Sequence, residues 1–194
     1  MTLKENGMAR TASTMLALGT RAPDFSLPDV ISGKTVTRDQ VAGTRGLLAM
    51  FLCAHCPFVQ HVNHELARLG RDYAGCGLGM VAIGSNDADA YPDDAPPGLR
   101  AQAIEHGFPF PYLYDETQEV ARAFQAVCTP EFFLFDADKK LVYRGQLDGS
   151  RPGNGIAVDG RDLRAAMESA LAGKPVPVEQ QASIGCGIKW KKGN

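Results

Sequence analysis

The sequence lacks any long hydrophobic run: stretches such as residues 47–52 fall far short of the roughly 20 apolar residues that a membrane span needs. It also lacks an excess of either charge, because 20 lysines and arginines face 22 aspartates and glutamates, for a net charge of −2. Neither a nucleic acid nor an anionic membrane surface is therefore expected as a partner. Residues 1–20 contain Lys4, Glu5 and Arg10 and no continuous apolar stretch, so no secretory signal is predicted and a cytoplasmic location is expected.

The sequence also lacks the features of a disordered chain and of a disulfide-rich secreted domain. Hydrophobic residues make up 44% of the 194 residues, which is enough for a buried core. The five cysteines are odd in number and irregularly spaced, unlike a secreted disulfide framework. They are Cys53, Cys56, Cys76, Cys128 and Cys186. Only the first two form a close pair, and this pair is where we expect the chemistry.

Hydrophobic patterning predicts a single α/β domain. Continuous apolar runs at residues 47–52 and 78–84 are typical of buried strands, and between them one apolar stripe runs from Phe58 to Tyr73 at helical spacing. A strand, a helix and a strand in this order predict a right-handed parallel crossover. Apolar residues at 132–135 and 141–144 flank a polar turn and predict a hairpin.

The remaining segments predict shorter elements, a loop and two tails. The shorter elements are strands at 22–27, 35–37 and 111–114 and helices at 99–106, 115–126 and 160–172. Residues 85–98 hold four aspartates and three prolines and predict a solvated loop, because proline interrupts regular backbone hydrogen bonding. We expect a mobile tail over residues 1–20, one domain over 21–173 and a C-terminal tail over 174–194.

The close cysteine pair lies where the first buried strand meets the helix, in the segment Cys-Ala-His-Cys-Pro at 53–57. Unpaired N–H groups at a helix N-terminus stabilise a thiolate, which is the nucleophilic form of cysteine. We expect Cys53 to be exposed, to have a lowered pKa and to attack a disulfide, and the more enclosed Cys56 to resolve the product. His55 between them can supply a positive or hydrogen-bonding group. The alternative interpretation is a pair of buried cysteines without chemistry.

Zinc binding is another interpretation of the same segment, since His61 and His64 extend it to C-x2-C-x4-H-x2-H. A zinc finger leaves about a dozen residues between its two halves, and this spacing does not. Four ligands along one helix do not converge without breaking it. We therefore predict no metal and place both histidines on the polar surface, with a non-catalytic zinc- or partner-binding module kept as an alternative.

Three motifs together resemble the thioredoxin-like superfamily: CAHCP after a buried strand, CTP at 128–130 before FFLFD, and APDFSLP at 22–28. Within it the chain is similar to the branch that groups alkyl hydroperoxide reductase/thiol-specific antioxidant (AhpC/TSA, peroxiredoxin-like) proteins with redoxins. The resemblance implies a thioredoxin-like α/β fold with a central mixed sheet flanked by helices. It implies a redox-active Cys53–Cys56 pair that needs no bound cofactor. It also implies that Thr129–Pro130 is a cis peptide beside the active site, with His55, Thr129 and Pro130 contributing to substrate binding.

The same resemblance raises hydroperoxide reduction as an alternative antioxidant function. A peroxiredoxin centre carries the pattern P-x-x-x-T/S-x-x-C, but Met50 occupies the hydroxyl position and no proline lies at the required distance before Cys53. Without these groups the leaving oxygen of a peroxide has little stabilisation. We therefore favour a thiol–disulfide oxidoreductase, with a protein or small-molecule disulfide as substrate and a reducing or oxidising thiol as partner.

The other three cysteines differ in their surroundings. Cys128 alternates with Thr129 along a strand and is expected to pack away from it, and Cys76 lies at a helix end and is expected to be inert. Cys186 lies between two glycines in the C-terminal tail, near several lysines that would lower a thiol pKa. Two interpretations stay open for it, a third redox thiol or an exposed spare thiol, and the sequence favours the second.

Overall fold

The computed structural model describes residues 10–193, and its central sheet has five strands. Within the described range the strands are β1 (Arg10–Ala12), β2 (Ser26–Pro28), β3 (Thr35–Thr37), β4 (Gly46–Phe51), β5 (Leu78–Gly84), β6 (Tyr112–Tyr114), β7 (Cys128–Thr129), β8 (Glu131–Phe135), β9 (Leu141–Gly145) and β10 (Ile184–Gly187). The helices are α1 (Arg38–Val41), α2 (Pro57–Asp72), α3 (Pro96–His106), α4 (Glu119–Ala123) and α5 (Arg161–Leu171), with a 3-10 turn at Pro92–Asp94.

The central sheet is mixed, and its strand order is β6-β5-β4-β8-β9. Strand β4 pairs in parallel with β5, and helix α2 connects the two, which confirms the predicted crossover. On its other side β4 pairs antiparallel with β8. Strands β8 and β9 form the predicted hairpin, with Phe133 opposite Arg144. The predicted fold, a mixed sheet flanked by helices, is confirmed.

Strand β4 forms the centre of the core because both of its faces are covered. Leu48 and Met50 belong to an apolar cluster with residues of α2, α3 and α5. Leu47, Ala49 and Phe51 belong to a second cluster on the opposite face, which includes residues of α4. This alternation is the two-residue period of a strand, and it explains why the sequence at 47–52 is apolar at every position.

A second, antiparallel sheet joins the two ends of the described chain in the order β1-β10-β7. Arg10 in β1 lies opposite Cys186 in β10, and Cys186 lies opposite Thr129 in β7. Residues 10–12 and 184–187 thus belong to a sheet within the segments predicted as tails, 1–20 and 174–194, and residues 1–9 and 194 lie outside the described residues. Very short strands of two to four residues carry too few positions for a periodic signal, so the sequence did not reveal them.

Two other segments differ from the prediction. Residues 85–98 contain a 3-10 turn and the first turn of α3, which begins at Pro96 where proline needs no amide donor. Helix α4 starts only at Glu119, because Gln118 before it adopts a left-handed φ of +64°. Asp115 still accepts a hydrogen bond from the Ala121 N–H at 2.9 Å. None of the helices in residues 10–193 combines the length and hydrophobicity that crossing a membrane requires.

Candidate active site

The paired cysteines lie in the connection from β4 to α2, beyond the carboxyl end of the central strand. Cys56 is the N-cap of α2 and Pro57 is its first residue, so the helix N-terminus faces Cys56 directly. The two cysteines are free and 4.4 Å apart. Both have a relative exposure of 0%, so the expectation that Cys53 is exposed is wrong. The apolar core that surrounds the end of β4 continues as far as Cys53.

Thr129 is the residue that contacts both sulphur atoms. Its Oγ1 lies 3.0 Å from Cys53 Sγ, and its carbonyl oxygen accepts a hydrogen bond from the Cys56 thiol at 3.4 Å. The Thr129–Pro130 peptide is cis, as the resemblance implied. Met50, at the position where a peroxiredoxin motif has a hydroxyl, is instead buried in the core. Thr129 in β7 therefore supplies Cys53 with the hydroxyl group that β4 lacks.

Asp94, in the 3-10 turn, holds the loop between the cysteines. Its Oδ1 accepts hydrogen bonds from the backbone N–H groups of Ala54 at 2.7 Å and His55 at 3.2 Å. Its Oδ2 contacts His55 Nδ1 at 2.5 Å and accepts a hydrogen bond from Asn86 Nδ2 at 2.7 Å. Asp94 is only 1% exposed, so the prediction that residues 85–98 form a solvated loop is wrong for this residue. Four aspartates lie in that segment, and no local signal marks this one.

The Asp94–His55 contact places a hydrogen-bonded carboxylate and imidazole beside the cysteines. The hydrogen bond to Asp94 raises the pKa of His55, against an opposing effect of burial. Burial alone would raise the pKa of Asp94, but hydrogen bonds from His55 and Asn86 hold it below its ordinary value. The His55 ring also stacks on Tyr91, with centroids 5.1 Å apart. His55 is thus fixed in position, with its side chain 16% exposed.

The C-terminal strand brings a third cysteine to the pair. Cys186 is 2% exposed and lies in the same apolar cluster as Cys53 and Cys56, so the interpretation of an exposed spare thiol is wrong. Its neighbour Gly185 lies so close to β7 that a Cβ atom there would be 2.0 Å from the Thr129 carbonyl oxygen. Beyond β10, the Lys189 N–H donates to Asn86 Oδ1 at 2.8 Å. The segment after β10 is therefore docked against the site.

The three thiols interact electrostatically. Hydrogen bonds from the thiols of Cys186 and Cys53, with help from the Val59 N–H, lower the pKa of Cys56. Burial raises the pKa of Cys53, and the neighbouring Cys56 and Asp94 raise it further. The contact with Cys56 and burial raise the pKa of Cys186. Cys56 is therefore the most acidic of the three thiols, and the expected lowering of the pKa of Cys53 is wrong. The helix begins one residue after Cys56, not at Cys53, and that accounts for the difference.

The remaining cysteines stay outside this cluster. Cys128, on the other side of β7, is buried, and burial together with Glu131 raises its pKa. This agrees with the packing role predicted for it. Cys76 is half-buried in the turn after α2.

Among the described residues, one group of three potential metal ligands comes together, formed by Cys53, His55 and Asp94, with ligand atoms within 4.8 Å of one another. His61 and His64 are not part of it, so the C-x2-C-x4-H-x2-H set does not converge. Both oxygens of Asp94 already accept two hydrogen bonds each. A metal ion would have to displace some of these bonds, which disfavours metal binding.

Two surface recesses border the site. A polar cleft of about 500 Å³ lies between α2 and α3 and is lined by Ala54, His55, Asn63 and Gln102 among others. The amide of Gln102 also donates to the carbonyl oxygen of Cys53 at 3.2 Å. A much smaller recess of about 20 Å³ lies beside Pro130. The cleft gives the loop between the cysteines its contact with solvent.

Comparison with known proteins finds one matching family model, that of the AhpC/TSA family, over residues 18–144. An uncharacterized conserved protein from Geobacillus kaustophilus is 54% identical, with a TM-score of 0.94, over 97% of this chain and 100% of that one. A hypothetical protein from Sinorhizobium meliloti is 48% identical, with a TM-score of 0.92, over 94% and 100%. The thioredoxin domain of a thiol-disulfide oxidoreductase from Bacteroides vulgatus is 19% identical, with a TM-score of 0.56, over 66% and 88%. This last likeness shows that the fold is thioredoxin-like. No curated protein matches the sequence.

Proposed function

The chain belongs to the AhpC/TSA family, and on this basis we propose that it is a thiol–disulfide oxidoreductase in which Cys53 and Cys56 alternate between dithiol and disulfide. The observation that carries the proposal is the arrangement of the pair. Two free cysteines lie 4.4 Å apart at a helix N-terminus, and Thr129 contacts both sulphurs. The substrate is a protein or small-molecule disulfide, and a second thiol compound regenerates the pair. Neither a nucleic acid nor a membrane takes part.

The charge distribution suggests how one negative charge serves both the attack on the substrate disulfide and the formation of the Cys53–Cys56 disulfide. In the reduced pair the thiolate of Cys56 accepts the proton of Cys53 as Cys53 attacks a substrate disulfide, and a first substrate thiolate leaves. That substrate thiolate takes the proton from Cys56, which is then a thiolate again. The Cys56 thiolate then attacks Cys53 Sγ, which forms the Cys53–Cys56 disulfide and releases the second substrate thiolate. The Thr129 hydroxyl stabilises the charge that develops on Cys53.

We assign substrate binding to His55, Thr129 and Pro130, as the family resemblance implies. Because neither sulphur has exposed surface, a substrate reaches Cys53 only when a covering segment moves. The polar cleft beside Ala54 and His55 offers one approach to the loop. A disulfide of modest size, presented at the end of a flexible segment, fits such an opening better than a rigid protein surface does.

Cysteine-to-serine variants test the roles within the pair, with oxidised glutathione as the probe. Both variants also carry Cys186→Ser, so that the third thiol cannot resolve an adduct. Cys56→Ser should accumulate a glutathione adduct on Cys53, and Cys53→Ser should accumulate none, as read by mass spectrometry. Reduction of insulin disulfides should be lost in both and retained in Cys76→Ser. An adduct on Cys56 alone would reverse the two roles. If neither residue reacts and insulin is not reduced by the unmodified protein, the proposed function is wrong.

The equilibrium of the pair with glutathione gives the direction of the reaction. A reduction potential of about −270 mV is typical of a reductant. A potential of about −120 to −180 mV is typical of an oxidant or isomerase.

A second candidate function, reduction of hydroperoxides, is favoured by one observation. The Thr129 hydroxyl lies 3.0 Å from Cys53 Sγ, where it could donate to a peroxide oxygen in place of the hydroxyl missing at Met50. Attack by Cys53 on hydrogen peroxide, with its thiol proton passing to the leaving oxygen, would give a sulfenic acid and water. Hydrogen peroxide consumption faster than disulfide reduction, with dimedone labelling of Cys53 in Cys56→Ser, would make this function the main one. A non-catalytic zinc module would instead purify with one equivalent of zinc and show no disulfide exchange.

A further inference from the structure

Cys186 lies against the cysteine pair, and the mechanism above does not use it. We propose that Cys186 is a third redox thiol that exchanges with the Cys53–Cys56 disulfide and forms a Cys56–Cys186 disulfide. The proposal rests on the proposed function and deepens it, because the disulfide moves from the substrate-binding side of the cluster to the docked C-terminal strand.

The pairing of β10 with β7 fixes the position of Cys186. Cys186 lies opposite Thr129, the residue whose side chain contacts Cys53 and whose carbonyl oxygen contacts Cys56. Gly185 permits this register, since any larger residue would meet the Thr129 carbonyl oxygen. A Cβ atom at Gly187 would lie 3.0 Å from Thr11 Oγ1 in β1. A strand held this closely on both edges presents its one reactive side chain at a defined place.

The sulphur of Cys186 is also placed for nucleophilic attack. It lies close enough to the Cys56 thiol and to the Phe58 N–H at the start of α2 for both to shift its pKa, the first upward and the second downward. The same helix N-terminus therefore serves two sulphurs, Cys56 through Val59 and Cys186 through Phe58. Backbone N–H groups in this position stabilise a thiolate.

The redox state of Cys56 controls the reactivity of Cys186. In the reduced protein the side-chain contact with Cys56 is the first cause of the raised pKa of Cys186, followed by burial and by the charge of Cys56, so Cys186 keeps its proton. Once Cys56 enters a disulfide with Cys53, its contribution as a thiol and as a charge is gone. Burial still raises the pKa of Cys186, while nearby Lys189 and the Phe58 N–H lower it. Cys186 thus becomes nucleophilic when there is a disulfide beside it to attack.

The exchange step is balanced without an external oxidant. The Cys186 thiolate attacks Cys56 Sγ, the Cys53–Cys56 bond breaks, and the Cys56–Cys186 bond forms. Cys53 leaves as a thiolate and takes up the proton that Cys186 lost. The number of disulfides stays at one, and Cys53 is again free on the substrate side. A dithiol or monothiol reductant then attacks the Cys56–Cys186 bond and returns the cluster to three thiols.

Disulfide mapping of the full-length protein tests the proposal. The protein is treated with one equivalent of diamide, alkylated at low pH, digested and analysed by mass spectrometry. Linked peptides for both Cys53–Cys56 and Cys56–Cys186 are expected in the unmodified protein. In Cys53→Ser only the Cys56–Cys186 link should form, and in Cys186→Ser only the Cys53–Cys56 link. Cys128, buried on the other side of β7, should stay free in every sample and reports any random oxidation.

The outcomes separate this proposal from the proposed function. If Cys53–Cys56 forms in the unmodified protein while Cys186 remains fully alkylatable there and in Cys53→Ser, the third thiol has no redox role and the oxidoreductase assignment stands. If no link forms among the three cysteines in the unmodified protein, both proposals fail. The map of the unmodified protein decides the matter even if a serine variant does not fold, and Cys76→Ser, with both links expected, is the matched control.

Discussion

At the residue scale, the site depends on a buried carboxylate rather than on the cysteines alone. A buried charge is costly unless it is paired and hydrogen-bonded, and Asp94 satisfies its two oxygens with four donors. Two of the donors are backbone N–H groups of Ala54 and His55, between the cysteines. Asp94 therefore fixes the loop conformation as well as the charge of His55, and acts on the thiols as a positioning residue.

Replacing this carboxylate should change the titration of His55. In Asp94→Asn the pKa of His55, read by NMR, should fall from above its ordinary 6.5 to that value or lower, because the hydrogen bond to Asp94 is the first cause of the raised pKa. The stability that the pair contributes is fully present below pH 6.5 and is lost as the pH rises through the raised pKa. The variant should be about 1–3 kcal/mol less stable at pH 6.

The adjacent Asp93 provides a matched control, since it is exposed in the same turn. Asp93→Asn should leave both the His55 titration and the stability unchanged. An unaltered His55 pKa in Asp94→Asn would show that Asp94 does not set the charge of the loop.

At the element scale, the C-terminal strand β10 decides which thiols meet. It pairs with β7 over only two positions and with β1 over three. Such short pairings bury little apolar surface, so β10 depends on close backbone approach and on the hydrogen bonds of the following residues. The Ile188 N–H donates to the Val127 carbonyl oxygen at 2.9 Å, and the Lys191 N–H to Gln118 Oε1 at 2.8 Å. A change that separates the backbones of β10 and β7 should release Cys186.

Gly185→Ala makes that change without altering a cysteine. Its Cβ would lie 2.0 Å from the Thr129 carbonyl oxygen, and since this atom belongs to the backbone, the strands must move apart. We expect a cost of about 1–3 kcal/mol and faster alkylation of Cys186 by N-ethylmaleimide, measured by mass spectrometry. Gly149→Ala, whose Cβ would meet only Ile156 at 3.9 Å, should alkylate like the unmodified protein. Equal alkylation rates for the two variants would mean that β10 is not held by this contact.

At the scale of the whole molecule, the five-stranded and the three-stranded sheet should differ in local stability. The five-stranded sheet has apolar clusters on both faces, whereas the three-stranded sheet lies at the chain ends. Regions with few buried contacts open at free energies well below that of global unfolding. Access to the buried cysteines is then governed by opening of the smaller sheet, while the larger sheet stays folded.

Native-state hydrogen exchange measures this difference. The Ala49 amide in β4 should exchange only through global unfolding, and the amides of Ile188 and Lys189 through local opening at a lower free energy. Oxidation with diamide should slow exchange at Ile188 and Lys189 in the unmodified protein but not in Cys186→Ser, because only the first can link the strand to Cys56. Exchange at Ile188 as slow as at Ala49 in the reduced protein would contradict local opening.

The sequence by itself determined the elements whose signals are local. The all-apolar segment at 47–52, the helical stripe after Phe58 and the hairpin around residues 132–144 each became the predicted element, since burial on one or two faces imposes a period on the residues themselves. The position of the cysteine pair between a buried strand and a helix followed from the same signals. The cis Thr129–Pro130 peptide followed from resemblance to a family and not from periodicity.

The tertiary structure alone decided what surrounds the cysteines. Four aspartates lie in residues 85–98, and all four look alike in the sequence. The packing of that segment against Ala54 and His55 decides which of them is buried. The same holds for Cys186, whose tail pairs with β7 through strands too short to show a period. Segments far apart in the chain bury Cys53, and its pKa is set by that burial. The sequence therefore predicts the lowered pKa at Cys53, whereas β10, β7 and the start of α2 together lower the pKa of Cys56.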